Sequence, residues 1–397
     1  MSVSTKMYDF MTRASWIRKM FEEGMALKAM YGPDNVYDFS LGNPDLPPPA
    51  SFRQSLLEAV NNETPNCHSY MPNAGYTEVR QAIARHLSSE HGLLFSAQDI
   101  IMTCGAAGAL NVILKAILNP GDEVIIPAPY FVEYNFYIDN PGGKPVIVRT
   151  KDDFSLDLPA IEEAITSRTK AVLINSPNNP TGQIYDQDSI RKLGELLADK
   201  TQERGRTIYL IADEPYRYIV YDGIKVPGVF AAYRESIVAT SHSKDLSLPG
   251  ERIGYIAVHP EGMAKDDLVS AMTLANRILG FVNAPALMQR VVAGLQGQTV
   301  DTSIYQKRRD MLCEALAGYG YQFLRPRGAF YLFPRSPFPD DTAFVKVLQE
   351  QNILTVPGSG FGCPGYFRIA YCVPEKTIER ALPGFEVAMA RSLDNPG

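Results

Sequence analysis

Residues 236–258 read "SIVATSHSKDLSLPGERIGYIAV" and decide both the fold class and the place to look for chemistry. The stretch begins and ends with short apolar runs, "SIVATS" and "IGYIAV", of the kind that form buried β-strands. The segment between them contains Ser243, Lys244 and Arg252, and Ser241 closes the first run. A solvated surface lysine needs no such neighbours. The segment therefore raises the hypothesis that Lys244 is a reacting amine held beside an anion.

Five more apolar runs precede this stretch: "DIIMT" (99–103), "EVIIP" (123–127), "KPVIV" (144–148), "AVLIN" (171–175) and "IYLIAD" (208–213). Helical patterns separate the runs, and this alternation is typical of a mostly parallel sheet covered by helices on both faces. The sequence therefore predicts an α/β fold. We expect a large domain (46–285) with a mostly parallel seven-stranded sheet, and a smaller α+β domain (1–45 and 286–397).

Length and composition exclude several classes of protein. A chain of 397 residues suits two domains, and a net charge of −6 disfavours a broad nucleic-acid-binding face. No apolar run reaches the roughly 18 residues of a membrane span. The five cysteines form no CxxC pair, which indicates reduced thiols in a cytoplasmic protein. The five histidines lack metal-ligand spacing, so no metal site is expected.

Polar residues follow four of the predicted strands. Small residues in "GAAGAL" (105–110) would leave backbone amides exposed at a helix start, and "SPNNPTG" (176–182) contributes Asn179. Asp213 ends the next run and Tyr216 follows it, and Lys244 follows the run after that. Each signal alone is explained by a turn or a helix cap. Together they fit one ligand, pyridoxal phosphate, which carries a phosphate ester, a protonated ring nitrogen and an aldehyde that lysine captures.

Eight motifs then carry a family resemblance: "YMPNAGY" (70–76), "GAAGAL" (105–110), "PYF" (129–131), "NNPTG" (178–182), "DEPY" (213–216), "SHSK" (241–244), "GERIG" (250–254) and "YFRIA" (366–370). In this order they resemble the class I/II aminotransferases, the aspartate-aminotransferase-like, pyridoxal-phosphate-dependent enzymes of fold type I. The resemblance covers nearly the whole chain. It implies transfer of an amino group between an α-amino acid and a 2-oxo acid such as 2-oxoglutarate.

The resemblance also implies a role for each matched residue. Lys244 would bond covalently to the cofactor's aldehyde and transfer a proton, and Asp213 would pair with the pyridine nitrogen. Tyr216 and Asn179 would contact the ring's phenolic oxygen. The remaining cofactor contacts would come from Phe131 on the ring face and from Ala106, Ala107, Ser241, Ser243 and Arg252 at the phosphate. Tyr70 would reach the phosphate of a neighbouring subunit, which implies a homodimer with shared active sites.

On the substrate side, the resemblance implies that Arg368 binds the α-carboxylate, with Gly42 and Asn179 beside it. The preferred amino acid stays open at this point. Arg277 would select a second carboxylate, as in aspartate, whereas Trp16 would favour an aromatic or apolar side chain. The lysine segment also resembles pyridoxal-phosphate-dependent lyases and synthases, such as aminocyclopropane-carboxylate synthases and β-lyases. A lyase or synthase on the same scaffold is therefore the alternative function.

Overall fold

A seven-stranded sheet runs through the middle of the molecule, as the apolar runs predict. The computed structural model describes residues 2–13, 15–62 and 64–394, without side chains for residues 12–22 and 392–394. In this part of the chain the helices are α1 (Thr5–Arg13), α2 (Ser15–Tyr31), α3 (Ala50–Asn61), α4 (Thr77–His91), α5 (Gly105–Ile117), α6 (Glu133–Asp139), α7 (Leu158–Ala164), α8 (Gln187–Arg204), α9 (Lys265–Ile278), α10 (Ala286–Ala293), α11 (Thr302–Gly318), α12 (Asp341–Glu350) and α13 (Glu375–Asp394). The strands are β1 (Tyr37–Asp38), β2 (Ile100–Thr103), β3 (Glu123–Ala128), β4 (Lys144–Arg149), β5 (Thr169–Asn175), β6 (Tyr209–Asp213), β7 (Ser236–Ser241), β8 (Gly254–Val258), β9 (Tyr331–Leu332), β10 (Ile353–Leu354), β11 (Val356–Pro357) and β12 (Phe367–Ala370).

The strand order of the large sheet is β2-β8-β7-β6-β5-β3-β4. The pairs from β7 through β4 are parallel, and β8 alone runs antiparallel to both of its neighbours. The prediction of a mostly parallel seven-stranded sheet is therefore confirmed. Because β8 runs in the opposite direction, its first residue lies at the edge of the sheet where β2 and β7 end. That edge therefore receives the segment before β8 as well as the residues that follow the other strands.

Alternate residues of each strand supply two separate cores. In β5, Val172 and Ile174 pack in the cluster on the α4 and α8 side, while Ala171 and Leu173 pack in the cluster that includes α5 and α9. All four side chains are almost fully buried. Removing a valine, leucine or isoleucine side chain from water contributes roughly 1.5–3 kcal/mol, so a continuous apolar run is stable here only with helices on both faces.

Local signals set several helix ends. α4 ends at Gly92, whose left-handed backbone (φ 68°) stops the helix that "TEVRQAIARHLSSEHG" predicts. α8 begins after Asp186, whose carboxylate accepts a hydrogen bond from the Ser189 amide at 2.8 Å. These caps fix where the helices turn back toward the sheet.

A smaller unit combines both ends of the chain. β1 pairs in parallel with β10, β9 and β11 flank β12, and α11 packs against α13. Phe39 belongs to the same buried cluster as Phe344 and Phe385. The domain limits at residues 45 and 285 stay a prediction. α10 packs against α3 and α4 and shares the core of the large sheet. This packing favours a boundary between the large and small domains that lies after α10, later in the chain than residue 285.

The described residues contain neither a membrane-spanning helix nor a cluster of metal ligands. No helix in them is both long and apolar enough to cross a membrane. Within the same residues, His, Cys, Asp and Glu side chains form no group of three that could hold a metal ion.

Candidate active site

A cavity of about 300 Å³ lies at the edge of the sheet where the parallel strands end, and residues of the smaller unit close it. The carboxyl ends of parallel strands meet at one edge, so residues far apart in sequence converge there. The cavity is lined by most of the residues that the sequence predicted: Gly42, Ala106, Ala107, Phe131, Asn179, Asp213, Tyr216, Ser241, Ser243, Lys244, Arg252 and Arg368.

Lys244 lies in the loop between β7 and β8, and its amine reaches into this cavity. Its Nζ donates a hydrogen bond to the carbonyl oxygen of Gly42 at 2.7 Å. Burial lowers the pKa of the amine to about 8, and the nearby guanidinium groups of Arg368 and Arg252 lower it as well. Lys244 is therefore much closer to being a neutral nucleophile at physiological pH than an ordinary lysine.

Asp213 is the last residue of β6 and is buried in the wall of the cavity. Its Oδ2 accepts a hydrogen bond from the Tyr134 hydroxyl at 2.6 Å, and its Oδ1 has no partner among the described residues. Burial raises the pKa of Asp213 to about 7, which the Tyr134 hydrogen bond only partly offsets. A buried carboxylate oxygen without a partner is costly, so the site suits a ligand that brings a cation or an N–H group.

Hydroxyl and amide groups connect the two sides of the cavity. The hydroxyl oxygens of Tyr216 and Tyr331 are 2.6 Å apart. Asn179 accepts a hydrogen bond from Arg368 through Oδ1, which leaves its Nδ2 group as the donor that the predicted cofactor contact requires. The Asn175 side chain holds this region together. Its Oδ1 accepts a hydrogen bond from the backbone N–H of Asn179 at 2.7 Å, and its Nδ2 donates one to the carbonyl oxygen of Asp213 at 2.8 Å.

One end of the cavity is built for an anion. α5 begins at Gly105, and the preceding Cys104 gives no side-chain cap. Ala106 and Ala107 line the cavity in the first turn of α5, where backbone amides have no partner within the helix. Arg252 takes a left-handed backbone conformation (φ 51°), uncommon for a residue with a Cβ. A Cβ on Gly105 would lie 3.0 Å from Nη2 of Arg252, so the guanidinium lies against this helix start.

The two serines complete this end of the cavity. Ser241 and Ser243 are buried, and their hydroxyl oxygens are 3.1 Å apart. Gly254 lies between the ends of β2 and β7, and a Cβ there would come within 2.9 Å of the Gly105 Cα. A glycine is thus required for the start of α5 to approach the sheet. The combined hydroxyls, amides and guanidinium suit a phosphate.

Arg368 occupies the opposite end of the cavity and is almost fully buried. Its guanidinium carbon lies 4.7 Å from the ring centroids of both Tyr331 and Phe361. Nη1 donates to Asn179 at 2.9 Å and Nη2 donates to the Ser40 carbonyl, while Nε has no partner among the described residues. A fixed, buried guanidinium of this kind can bind a carboxylate with parallel hydrogen bonds.

Aromatic side chains form the remaining wall. Phe131 lies edge-on to Tyr134, with ring centroids 5.7 Å apart, and both line the cavity together with Tyr137 of the same helix region. The position of Phe131 fits the predicted packing on a planar ring.

Two predicted residues do not line this cavity, and the side chain of a third lies outside the described residues. Tyr70 is 93% exposed and lies in a surface depression with Phe281 and Val282. Arg277 is an exposed residue of the last turn of α9. Trp16 falls within α2 at a position whose side chain lies outside the described residues. The roles of Tyr70 and Arg277 across a subunit interface stay predictions.

Several lining residues were not predicted, among them Tyr134, Tyr137, Asn175 and Tyr331. Asn175 ends an apolar run just as Asp213 does, so the same signal could have identified it. Tyr134 follows the "PYF" motif by three residues and lies in the first turn of α6. Tyr331 belongs to a short strand of the smaller unit, and no local pattern links it to the cavity.

Comparison with known proteins gives consistent findings. The family model "Aminotransferase class I and II" matches residues 34–385. A probable aspartate/prephenate aminotransferase of Aquifex aeolicus is 33% identical over 378 residues, covering 89% of this chain and 91% of that protein. A probable aspartate/prephenate aminotransferase of Thermus aquaticus is 34% identical over 356 residues, covering 88% of this chain and 90% of that protein. The crystal structure of an aminotransferase from Eubacterium rectale is similar with a TM-score of 0.95 and 43% identity, covering 98% of this chain and 99% of that chain.

Proposed function

The chain belongs to the class I and II aminotransferases, and we propose that it transfers amino groups in the cavity beside Lys244. Enzymes of this family depend on pyridoxal phosphate and move an amino group between an α-amino acid and a 2-oxo acid. One observation carries this proposal. The same cavity holds a buried Asp213 oxygen that lacks a partner among the described residues and an amine whose pKa is lowered to about 8. A ring with a protonated nitrogen and an aldehyde requires these two groups.

The residues of the cavity fit pyridoxal phosphate from end to end. When bound, this cofactor supplies an aldehyde that an amine can capture and a ring that, with its nitrogen protonated, withdraws electrons from the substrate Cα. Asp213 Oδ1 would hold the proton on the ring nitrogen. The Ser241 and Ser243 hydroxyls, Arg252 and the first amides of α5 would hold the phosphate, and Phe131 would cover one face of the ring.

Lys244 and Arg368 would then act on the substrate. Arg368 would bind the α-carboxylate, and its burial between two aromatic rings excludes water from that contact. Lys244 Nζ would remove the proton from the substrate Cα and later return one, since an amine with a lowered pKa can serve as base and then as acid near neutral pH.

Cofactor binding provides the test. We expect the purified protein to gain a visible absorption band with pyridoxal phosphate, and borohydride reduction to fix the cofactor mass on the Lys244 peptide. Lys244→Ala should lose this adduct and at least ~10³-fold in turnover. Lys170→Ala is the matched control, because Lys170 is also a partly buried lysine with a lowered pKa but does not line the cavity. A Lys244→Ala enzyme that transaminates normally would refute the proposal.

For the substrate we propose an acidic amino acid, with 2-oxoglutarate as amino acceptor. The support is that both bacterial relatives are described as aspartate/prephenate aminotransferases. Arg277 of a second subunit would bind the distal carboxylate, since it is exposed on its own protomer. Arg277→Ala should then reduce kcat/KM roughly 10²-fold for aspartate and glutamate but not for alanine or aromatic substrates. Equal losses for all substrates would exclude Arg277 as the selector, and a preference for aromatic substrates would favour Trp16.

We also propose a cytoplasmic homodimer. All five cysteines are unpaired, which suits a reducing compartment. The dimer is supported by Tyr70, which is exposed and does not line the cavity of its own chain, as a residue that contacts the phosphate of a neighbouring subunit would be. The lyase or synthase alternative is not favoured, since the similar proteins are described as aminotransferases. An aminotransferase should form product only when a 2-oxo acid is present, whereas a lyase or synthase should form product from the amino acid alone.

A further inference from the structure

Tyr331 lies where the two sides of the cavity meet. It is the first residue of β9 and is 2% exposed. Its hydroxyl oxygen is 2.6 Å from that of Tyr216, and its ring lies under the Arg368 guanidinium at 4.7 Å. A Cβ added at Gly42 would overlap its hydroxyl, so the backbone that accepts the Lys244 hydrogen bond also packs on this tyrosine. Tyr331 thus contacts or adjoins several of the residues assigned to cofactor and substrate.

The charges around the two hydroxyls decide which one donates. Arg368, on β12, places a positive charge over the Tyr331 ring, which stabilises the phenolate character of Tyr331. Burial raises the pKa of Tyr216 well above its ordinary value; Arg368 partly offsets this, whereas the Asp213 carboxylate adds to it. The other ionisable group that influences Tyr331 is Cys372, a buried thiol after β12, and burial raises the pKa of both tyrosines. Of two paired hydroxyls the more acidic is the better donor, so Tyr331 donates and Tyr216 accepts.

Resting on the proposed function, we propose that Tyr331 is a positioning residue: its O–H donates to Tyr216 and leaves the Tyr216 O–H to donate to the phenolic oxygen of the bound cofactor. A hydroxyl that accepts a hydrogen bond becomes a stronger donor, because bonds in a chain polarise one another by perhaps 10–30%. Tyr331 would therefore strengthen the contact as well as aim it. Its position on β9 means that the smaller unit contributes to the electronic state of a cofactor held mainly by the large sheet.

The pH titration of the bound cofactor's visible band tests this role. The band reports a proton shared between Lys244 Nζ and the ring's phenolic oxygen. Removing a hydrogen-bond donor makes that oxygen a stronger base, so the proton is held to higher pH and the midpoint rises. Tyr216→Phe should raise the midpoint by roughly 1–2 pH units. Tyr331→Phe should raise it by about 10–30% of that shift. Because Tyr331 acts through Tyr216, the double variant should match Tyr216→Phe alone.

Tyr321→Phe is the matched control. It also removes a buried tyrosine hydroxyl, one that donates to the Phe385 carbonyl at 2.8 Å outside the cavity, and it should leave the midpoint unchanged. A second variant avoids any loss of packing: site-specific Tyr331→3-fluorotyrosine makes the hydroxyl more acidic and should lower the midpoint. An unchanged midpoint in both Tyr331 variants, or additive shifts in the double variant, would overturn the inference. A wild-type protein that forms no visible band would instead refute the proposed function.

Discussion

At the scale of single residues, the amine of Lys244 should be unusually reactive before any cofactor binds. A protonated amine cannot attack an electrophile, and the pKa of Lys244 is lowered to about 8 by burial. Acylation of Lys244 in the cofactor-free protein should therefore rise about tenfold per pH unit below this value and level off above it. An ordinary lysine would keep rising toward about 10.4. Quantitative mass spectrometry of the Lys244 peptide measures the profile.

Pyridoxal phosphate is the internal control for this experiment. Cofactor addition should protect Lys244 and leave exposed lysines such as Lys151 labelled as before. Labelling of Lys244 that still increases tenfold per unit beyond pH 9 would contradict the burial argument.

Gly105 is a second residue with a specific expectation. Its backbone is left-handed (φ 73°), and a Cβ there would press on the Arg252 guanidinium. Gly105→Ala should cost roughly 1–2 kcal/mol of stability through backbone strain and should also weaken cofactor binding at least about tenfold. Gly121→Ala is the matched control, since Gly121 has φ 88° and open space around the added Cβ. It should lose similar stability and keep its cofactor affinity, as measured by absorbance titration. Equal affinity in both variants would show that the start of α5 does not hold the phosphate.

The sequence predicted the residues at strand ends better than the contacts among them. Asp213 and Lys244 could be identified because the first ends an apolar run and the second follows one, and parallel strands bring such positions to one edge. The hydrogen bonds from Tyr134 to Asp213 and between Tyr331 and Tyr216 could not be predicted in this way. They depend on how α6 and the smaller unit pack, which no periodic pattern encodes. The roles of the site residues themselves stay predictions until they are tested.

At the scale of secondary-structure elements, an ion-pair network joins α4 to the segment after β6. Arg217 donates to Glu90 at 2.6 Å and to Glu214 at 3.1 Å, and the Tyr218 hydroxyl donates to Glu90 at 2.7 Å. Glu214 directly follows Asp213 and is buried. The network therefore anchors the end of the strand that presents Asp213 to the cavity.

Loss of Arg217 should be strongly destabilising for this reason. Arg217→Met leaves two carboxylates without their cation, one of them buried, and should cost about 3–5 kcal/mol in urea or thermal unfolding. Arg191 offers a matched comparison, because it also pairs with two carboxylates, Asp188 and Glu195, but on the exposed face of α8. Arg191→Met should cost far less, because solvent screens both of its ion pairs. Similar losses for the two variants would mean that the Arg217 network is effectively solvated.

The strands of the large sheet were predicted well where helices bury both faces of the strand. The runs that became β2, β3, β5, β6, β7 and β8 are continuous and apolar because helices cover both faces of the sheet. The strand order and the reversal of β8 were not predictable from the same pattern, since an apolar run carries no direction. The very short strands of the smaller unit, two residues each in β9, β10 and β11, likewise lack a periodic signal.

At the scale of the whole molecule, the proposed dimer can be tested directly. Sedimentation or light scattering should give twice the chain mass of 43.9 kDa. Tyr70→Phe should keep that mass and weaken cofactor binding, because it removes a hydroxyl that would reach the phosphate of the neighbouring subunit. A monomer that binds pyridoxal phosphate with full affinity would exclude shared active sites.

The parallel pairing of β1 with β10 has a consequence for biosynthesis. Tyr37 pairs with Ile353, so roughly 300 residues must leave the ribosome before the N-terminal strand can find its partner. At about 5–20 residues per second, that interval lasts on the order of 15–60 s, during which the large sheet can already assemble. Phe39, which ends up fully buried, would stay uncovered for that time. The segment around Phe39 therefore gains its buried contacts only late in synthesis, and the end of the cavity that holds Arg368 is completed at the same late stage.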